Sequence, residues 1–372
     1  MSGRTQDDTQ DTTSSKRRLR IATWNVCWFA NLFDQNDDLV DDNGNSAMHN
    51  VPRRRQAAAI AAVLRRIDAD LIAIIEAPDT GNRSDCVRAL EGFSDVFGLR
   101  QRRVLTGFVS HTEQEIALLY DPAAFTAAHH PIGTSLDPAD AAQGLMDEIA
   151  PRFDSVFPLD LDGDGMVDLH RFSKPPLEAE VRVRPGDAGS TARLRLIAVH
   201  AKSKAPHGAE DAADVRRISL VNRRKQLAQC AWLRARIDEH LDRGDDVIAL
   251  GDFNDGPGQD KYERVFGRSG VEIVMGDPGE PDRLMRNPYT RRRMTPYGAR
   301  PSTARFYNRE SGRYLNALLD FVMLSPALAA RAAPVWRIWH PFDDTECFED
   351  QSFRQDLLDA SDHFPVSVDL SI

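Results

Sequence analysis

Two stretches of this chain repeat one succession, apolar strand, helix, apolar strand, and that succession limits it to layered α/β architectures. In the first, LRIATWNV runs from Leu19 as a buried strand, and RRRQAAAIAAVLRRI then places Ile60, Val63, Leu64 and Ile67 at helical spacing. Pro52 suits the first turn of that helix, and DLIAIIEA returns as a second buried strand. In the second, RLRLIAVH is a strand, the stretch from about Asp211 to Leu241 is a long helix with a charged face, and DVIALGDF is the returning strand. Further strands are expected at EIALLYDP, ALLDFVMLS and PVSVDLSI, with Asp-Pro and Ser-Pro pairs ending the first two.

Residues 1–18 are polar and rich in Asp, Thr, Ser and Gln, and are expected to form a disordered tail ahead of a single domain over residues 19–372. Between about 129 and 190 the strand and helix pattern lapses into a stretch rich in Pro, Gly and Asp, expected as an insertion on one edge. No apolar run reaches membrane-span length and the first residues lack the apolar core of a signal peptide, so the expected location is the cytoplasm. Cys27, Cys86, Cys230 and Cys347 are scattered with no C-x-x-C pair, which speaks against a disulfide framework or a thiolate zinc site. A net charge of -10 repels polyanions on average, so a phosphate-bearing ligand has to be drawn in by local basic groups or by metal ions. Nothing indicates a protein partner.

Asn25, Glu76, His200 and Asp252 each stand at or just past the end of an apolar strand. In open α/β sheets that is where side chains from several strands converge on a ligand. A carboxylate after the run DLIAII is costly to bury alone and calls for a cation. Carboxylates and amides without a Cys/His set favour magnesium or manganese, hard ions that prefer oxygen. LGDFND brings Asp252, Asn254 and Asp255 together after a strand, although Gly251, Gly256 and Pro257 equally suit a tight turn. SDHFPV places Asp362 and His363 before the last strand, where they serve a site or merely cap the strand.

TWNV, IIEAPD, VHAKSK, LGDFND, LLDF and SDHFPV, in this order, resemble the motifs of the endonuclease/exonuclease/phosphatase superfamily from about residue 19 to 372. H-x-K-S-K is similar to a bacterial branch of that superfamily. The resemblance implies a four-layer α/β sandwich of two facing mixed β-sheets flanked by helices, as in deoxyribonuclease I. It implies Glu76 as the principal magnesium or manganese ligand, with Asn25 and Asp362 near the same ion or its waters. Asp252 would orient or deprotonate the attacking water, and Asn254 would position that water or the phosphate. His363, oriented by Asp320, would donate to a non-bridging phosphate oxygen. His200, a position at which abasic-site endonucleases carry Tyr, would stabilise the leaving group or act as general acid.

Lys202 and Lys204 follow at alternate positions as phosphate contacts, with Lys202 the expected inward one, and Arg305 lies in a region that in the family often forms a substrate-side loop. Basic clusters at Arg53 to Arg55, Arg223 to Lys225 and Arg291 to Arg293 are expected to face solvent. DLDGDGMVD places Asp160, Asp162, Asp164 and Asp168 around Gly165 at the spacing of a calcium loop, with Arg171 where an EF-hand has its closing Glu. Calcium there would be structural. The expected function is a metal-dependent phosphoesterase, foremost a nuclease acting on DNA or RNA. The alternatives are a phosphatase or phosphodiesterase for a small or lipid-derived phosphoester, and a catalytically silent binding module on the same fold.

Overall fold

Strand alternation decides which face each apolar residue serves, and here it builds three cores between four layers. The computed structural model describes residues 17–372 except 82, 143–147, 162, 186–190, 207, 259–266, 291–300 and 309–311. The first sheet contains β1 (Arg18–Asn25), β2 (Leu71–Ala77), β3 (Arg103–Thr106), β4 (Glu115–Tyr120), β14 (Val335–Ile338) and β15 (Val366–Ser371), in the order β14-β15-β1-β2-β4-β3. The second contains β5 (Phe125–His129), β8 (Leu177–Val183), β9 (Arg193–His200), β10 (Val247–Asp252) and β13 (Asp320–Leu324), in the order β13-β10-β9-β8-β5. Both are mixed: β1 and β2 run parallel, as do β9 and β10, whereas β15, β4, β8 and β13 pair antiparallel with their neighbours. Two small hairpins complete the strands, β6 (Phe157–Leu159) with β7 (Asp168–His170) and β11 (Ala304–Asn308) with β12 (Arg313–Ala317).

Among the described residues the α-helices are α1 (Arg53–Ile67), α2 (Cys86–Phe97), α3 (Pro138–Ala142), α4 (Ala212–Asp242), α5 (Gly270–Met275), α6 (Pro326–Ala332), α7 (Thr345–Glu349) and α8 (Gln351–Ala360). Leu19 and Ile21 of β1, Leu71, Ala73 and Ile75 of β2, Leu196 and Ala198 of β9, and Ile248 and Leu250 of β10 fill the space between the sheets. The intervening Ala22, Trp24, Ile72 and Ile74 meet α1, α2 and α8, while Ile197, Val199, Val247 and Ala249 meet α4 and α5. Truncating any of these large buried side chains to Ala costs about 2–5 kcal/mol. This is the four-layer α/β sandwich that the resemblance implies.

Two boundaries differ from expectation. Strand pairing already begins at Arg18, opposite Ser371, so the fold starts inside the stretch expected as tail. The excursion from the second sheet is shorter than 129–190, because Leu177–Val183 form β8, a strand between β5 and β9. Its acidic and polar alternation, LEAEVRV, masks a strand whose polar groups are held by Arg and His partners; Glu178, for example, bonds His240 at 2.9 Å. The remaining excursion is fastened to α4: Phe157 stacks on Trp232, whose indole donates to the Pro151 carbonyl at 2.9 Å. All four cysteines are free. Among the described residues no helix is long and apolar enough to cross a membrane.

Candidate active site

Asn25, His200, Asp252 and Asp320 share the strand parity of the inter-sheet core, so they surface together where the sandwich opens. By the same parity Glu76 belongs with Ile72 and Ile74 on the helix side. A β-bulge between Ile75 and Ala77 prevents this: Glu76 has φ 61°, a left-handed conformation, and the extra residue turns its carboxylate to the other face. Glu76 Oε2 then accepts the Trp28 amide at 3.0 Å, and Trp28 itself is left-handed at φ 47°. Two such non-glycine residues in contact mark a backbone shaped around a side chain rather than around its own comfort.

Gly251 explains the glycine of LGDFND. Its φ is 134°, and a Cβ there would meet the Val199 carbonyl oxygen at 2.0 Å, so only glycine lets β10 approach β9 beside Asp252.

His363 Nδ1 lies 2.8 Å from Asp320 Oδ2, and the Thr303 hydroxyl donates to that same oxygen at 2.7 Å. Burial works against a charged imidazole, but the charge and hydrogen bond of Asp320, with Asp252 and Asp362 adding, overcome it and raise His363 to about 10. Asp252 moves for the opposite reason: burial first, then the charge of Asp320, raise its carboxyl to about 7. Its Oδ1 accepts the Asn254 amide at 2.7 Å, and its Oδ2 accepts Asn25 Nδ2 at 3.0 Å and Asn254 Nδ2 at 3.1 Å. Donor atoms of Asp252, Asp320 and His363 lie within 4.8 Å of one another. These three could hold a metal ion only if His363 Nδ1 gave up its contact with Asp320, 2.8 Å away.

The residues fit a hard cation beside it. Asn25 Oδ1 is buried and accepts no hydrogen bond among the described residues, while its Nδ2 is committed to Asp252. Burial raises Glu76, and the Trp28 amide, Lys174 and His363 only partly oppose it, so that carboxylate gains from a positive neighbour. Asp362 is close enough to Glu76 to repel it. Glu76, Asn25 and Asp362 thus offer oxygen donors of the kind magnesium or manganese takes.

The sequence did not single out Lys174 or Gln114. Lys174, at the end of the excursion, bonds Gln114 Oε1 and brings its Nζ to 3.1 Å from His200 Nδ1. Burial, then Lys174, His363 and Lys202, hold His200 well below its ordinary value, so its imidazole is neutral. An ammonium only donates, and its shorter contact, to Nδ1, favours that nitrogen as the acceptor and the proton on Nε2, which lies 3.5 Å from Lys174 Nζ and 3.7 Å from Asp252 Oδ2. Gln226 and Gln229 of α4 were also missed: Gln226 Nε2 donates to the carbonyls of Lys202 and Asn254, and Gln229 Oε1 accepts the Lys202 amide.

Other expected residues stand elsewhere. Lys204 pairs with buried Asp255 at 2.6 Å, and Asp255 also takes Arg223 and the Gly270 amide, which turns it away from Asp252. Arg305 donates its amide to the Asp362 carbonyl at 2.8 Å but lays its guanidinium 3.4 Å over the Tyr314 ring. Arg53, Arg54 and Arg55 are all paired with acidic residues. Arg291 to Arg293 and Asp162 lie outside the described residues. In the acidic loop, Asp160 accepts the Gly163 and Gly165 amides and Asp164 the Met166 amide, as turn residues do.

The model of the endonuclease/exonuclease/phosphatase family matches residues 22–363. Truncated TDP2 of Caenorhabditis elegans is similar at 11% identity and TM-score 0.47, over 95% of this chain and 98% of that one. An endonuclease/exonuclease/phosphatase family protein of Bacteroides thetaiotaomicron is 13% identical, TM-score 0.46, over 95% and 98%. The human Nocturnin catalytic domain is 13% identical, TM-score 0.44, over 95% and 94%. No curated protein sequence matches.

Proposed function

The chain belongs to the endonuclease/exonuclease/phosphatase family, and from that premise we propose that it is a metal-dependent phosphodiesterase acting on nucleic acid. The observation that carries this is a pair of neighbouring groups with opposite tasks, Asp252 poised near neutrality as a base and His363 held cationic as a donor. Glu76, Asn25 and Asp362 would hold magnesium or manganese, which when bound neutralises charge on the phosphoryl oxygens.

The remaining roles belong to the chain. Asp252, oriented by Asn254 and Asn25, takes the proton of the attacking water. His363, braced by Asp320, donates to a non-bridging phosphoryl oxygen as charge builds there. His200 presents Nε2–H to the leaving oxygen, and its neutral state makes it a hydrogen-bond donor rather than a proton source. Lys174 and Lys202 add positive potential at the mouth of an acidic chain.

Incubating the protein with magnesium or manganese and plasmid DNA, single-stranded RNA, sugar phosphates or phospholipids tests the reading. Hydrolysis of a nucleic acid that disappears with chelator and in Glu76→Ala and His363→Ala is expected. Equal activity of all three proteins on every substrate would refute it. The net charge of -10 favours a second reading, a small or lipid-derived phosphoester. Weak dependence of KM on salt together with preference for such a substrate would select it.

A further inference from the structure

The chain leaves α5 at Gly276, whose φ of 98° glycine alone adopts freely. Pro278, Pro281 and Pro288 then keep the return path out of any helix or strand, apart from a single bridge between Arg286 and Leu324 of β13. That irregular path borders a groove of about 860 Å³ beside β13 and β14, the end strands of their sheets. Its size falls among small-molecule sites, roughly 300–1,000 Å³. Among the described residues none of the reacting groups lines it.

Met275, Leu284, Met285, Pro288 and Trp336 give the groove an apolar wall, and the flexible thioethers let that wall adapt to a guest. Arg268 and Arg286 line it as well. In this acidic chain the nearby Arg234 and Arg283 are both neutralised by Asp238. The groove arginines are not: the Arg268 guanidinium donates to the Glu272 and Gly276 carbonyls at 2.7 and 2.8 Å, and that of Arg286 to the Pro281 carbonyl at 2.9 Å. Among the described residues neither has a carboxylate partner. Glu272, the acid on the wall, spends Oε2 on the Ser269 amide at 3.0 Å. An apolar groove with uncompensated positive charge complements a ligand that is apolar along its length and anionic at one end.

We propose that the groove binds a free fatty acid, with its alkyl chain against the methionines and its carboxylate paired to guanidinium. The planar fork of an arginine matches a planar carboxylate. An acidic peptide is the rival occupant, and the polar groups of the wall speak against it. Arg286 exchanges both backbone bonds with Leu324, at 2.7 and 3.0 Å, and the Met285 amide is held by the Met275 carbonyl at 2.9 Å. Asn287 spends its side chain on the Val322 carbonyl and the Tyr289 amide, and the Thr290 hydroxyl donates to the Asn287 carbonyl. A peptide would bury its own amides and carbonyls there without partners, whereas a hydrocarbon chain has none to satisfy.

Calorimetric titration of the full chain with decanoate, decanol, acetate and a peptide of alternating Glu and Leu tests this. Decanoate should bind saturably, and the other three more weakly by about ten-fold or more. The double variant Arg268→Ala, Arg286→Ala should lose about ten-fold for decanoate and keep its affinity for decanol. Leu284→Trp, which fills the groove, should lose both. Decanoate carrying bromine at its far end should quench wild-type fluorescence, and quench it less in Trp336→Phe. Decanol bound as tightly as decanoate, saturable binding of the peptide alone, or quenching unchanged in Trp336→Phe would each overturn the proposal. The ligand series needs only wild type, so it decides even where a variant fails to fold. No reading involves hydrolysis, so this proposal and the phosphodiesterase reading can fail independently.

Discussion

Asp320 Oδ2 receives His363 at 2.8 Å and Thr303 at 2.7 Å, while Thr303 Oγ1 itself accepts the amides of Leu319 and Asp320 at 3.0 Å each. One hydroxyl thus fixes both the carboxylate and the backbone that carries it, so the imidazole is aimed by a closed set of bonds. Replacing Asp320 with Asn keeps the shape and removes the charge. Turnover should fall about 10²–10⁴-fold, and the His363 resonance in a pH titration should move below its wild-type position near 10. A variant with full activity, or with an unmoved titration, would count against the assigned role.

The same pair makes folding stability depend on pH. The folded value of His363 is raised from 6.5 to about 10, so its contribution is fully present below 6.5 and is lost as pH rises through about 10. Urea midpoints measured across that window should decline in wild type and decline less in His363→Gln. Parallel declines would place the effect elsewhere.

On the proposed mechanism, Asp252 is expected to set the acid side of the activity profile. A base raised from 3.8 to about 7 is protonated and idle below neutrality, so kcat/KM should rise with pH through that region and fall again as His363 loses its proton near 10. Bound cation lowers the first limb, which should move to lower pH as manganese is raised. A flat profile from pH 5 to 9 would sink the assignment.

The Lys174 ammonium faces His200, and on the proposed mechanism it acts as a positioning residue. Lys174→Met removes a neighbouring positive charge, so the His200 imidazole should titrate higher than in wild type while kcat/KM falls roughly 10-fold or more. Lys174→Arg should restore part of the rate. If the His200 titration stays in place, the contact does not govern its protonation.

Glu76→Gln should abolish the rise in melting temperature that magnesium or manganese gives the native protein, since a ligand that binds only the folded state stabilises it by mass action. Calorimetric titration gives an independent reading. Identical thermal shifts would remove Glu76 from the cation site.

Strand ends were legible because apolar runs such as DVIAL and RLRLIAV announce buried strands, and the first polar residue after each stands at the sheet's rim. Where Glu76 points was not legible, because alternation sends it to the helix side and only the bulge reverses it. Lys174 was hidden by the long path of the excursion, whose course depends on Trp232 packing some sixty residues later in the chain. Lys204 and Asp255 looked like site groups by adjacency alone, and each turned out to satisfy the other. The hairpin could have been found: RFYN and RYL flank a Gly with matched alternation, a pattern that favours two paired strands.

Gln226 donates to carbonyls on the loop after β9 and on the loop after β10, at 2.8 Å to Lys202 and 2.9 Å to Asn254. The side of the cleft bearing His200 and Asp252 is therefore bolted to a helix buried along much of its length, and it shifts as one block or not at all. Room for ligands of different girth has to come from segments outside that block, such as the exposed Trp28 beside Glu76.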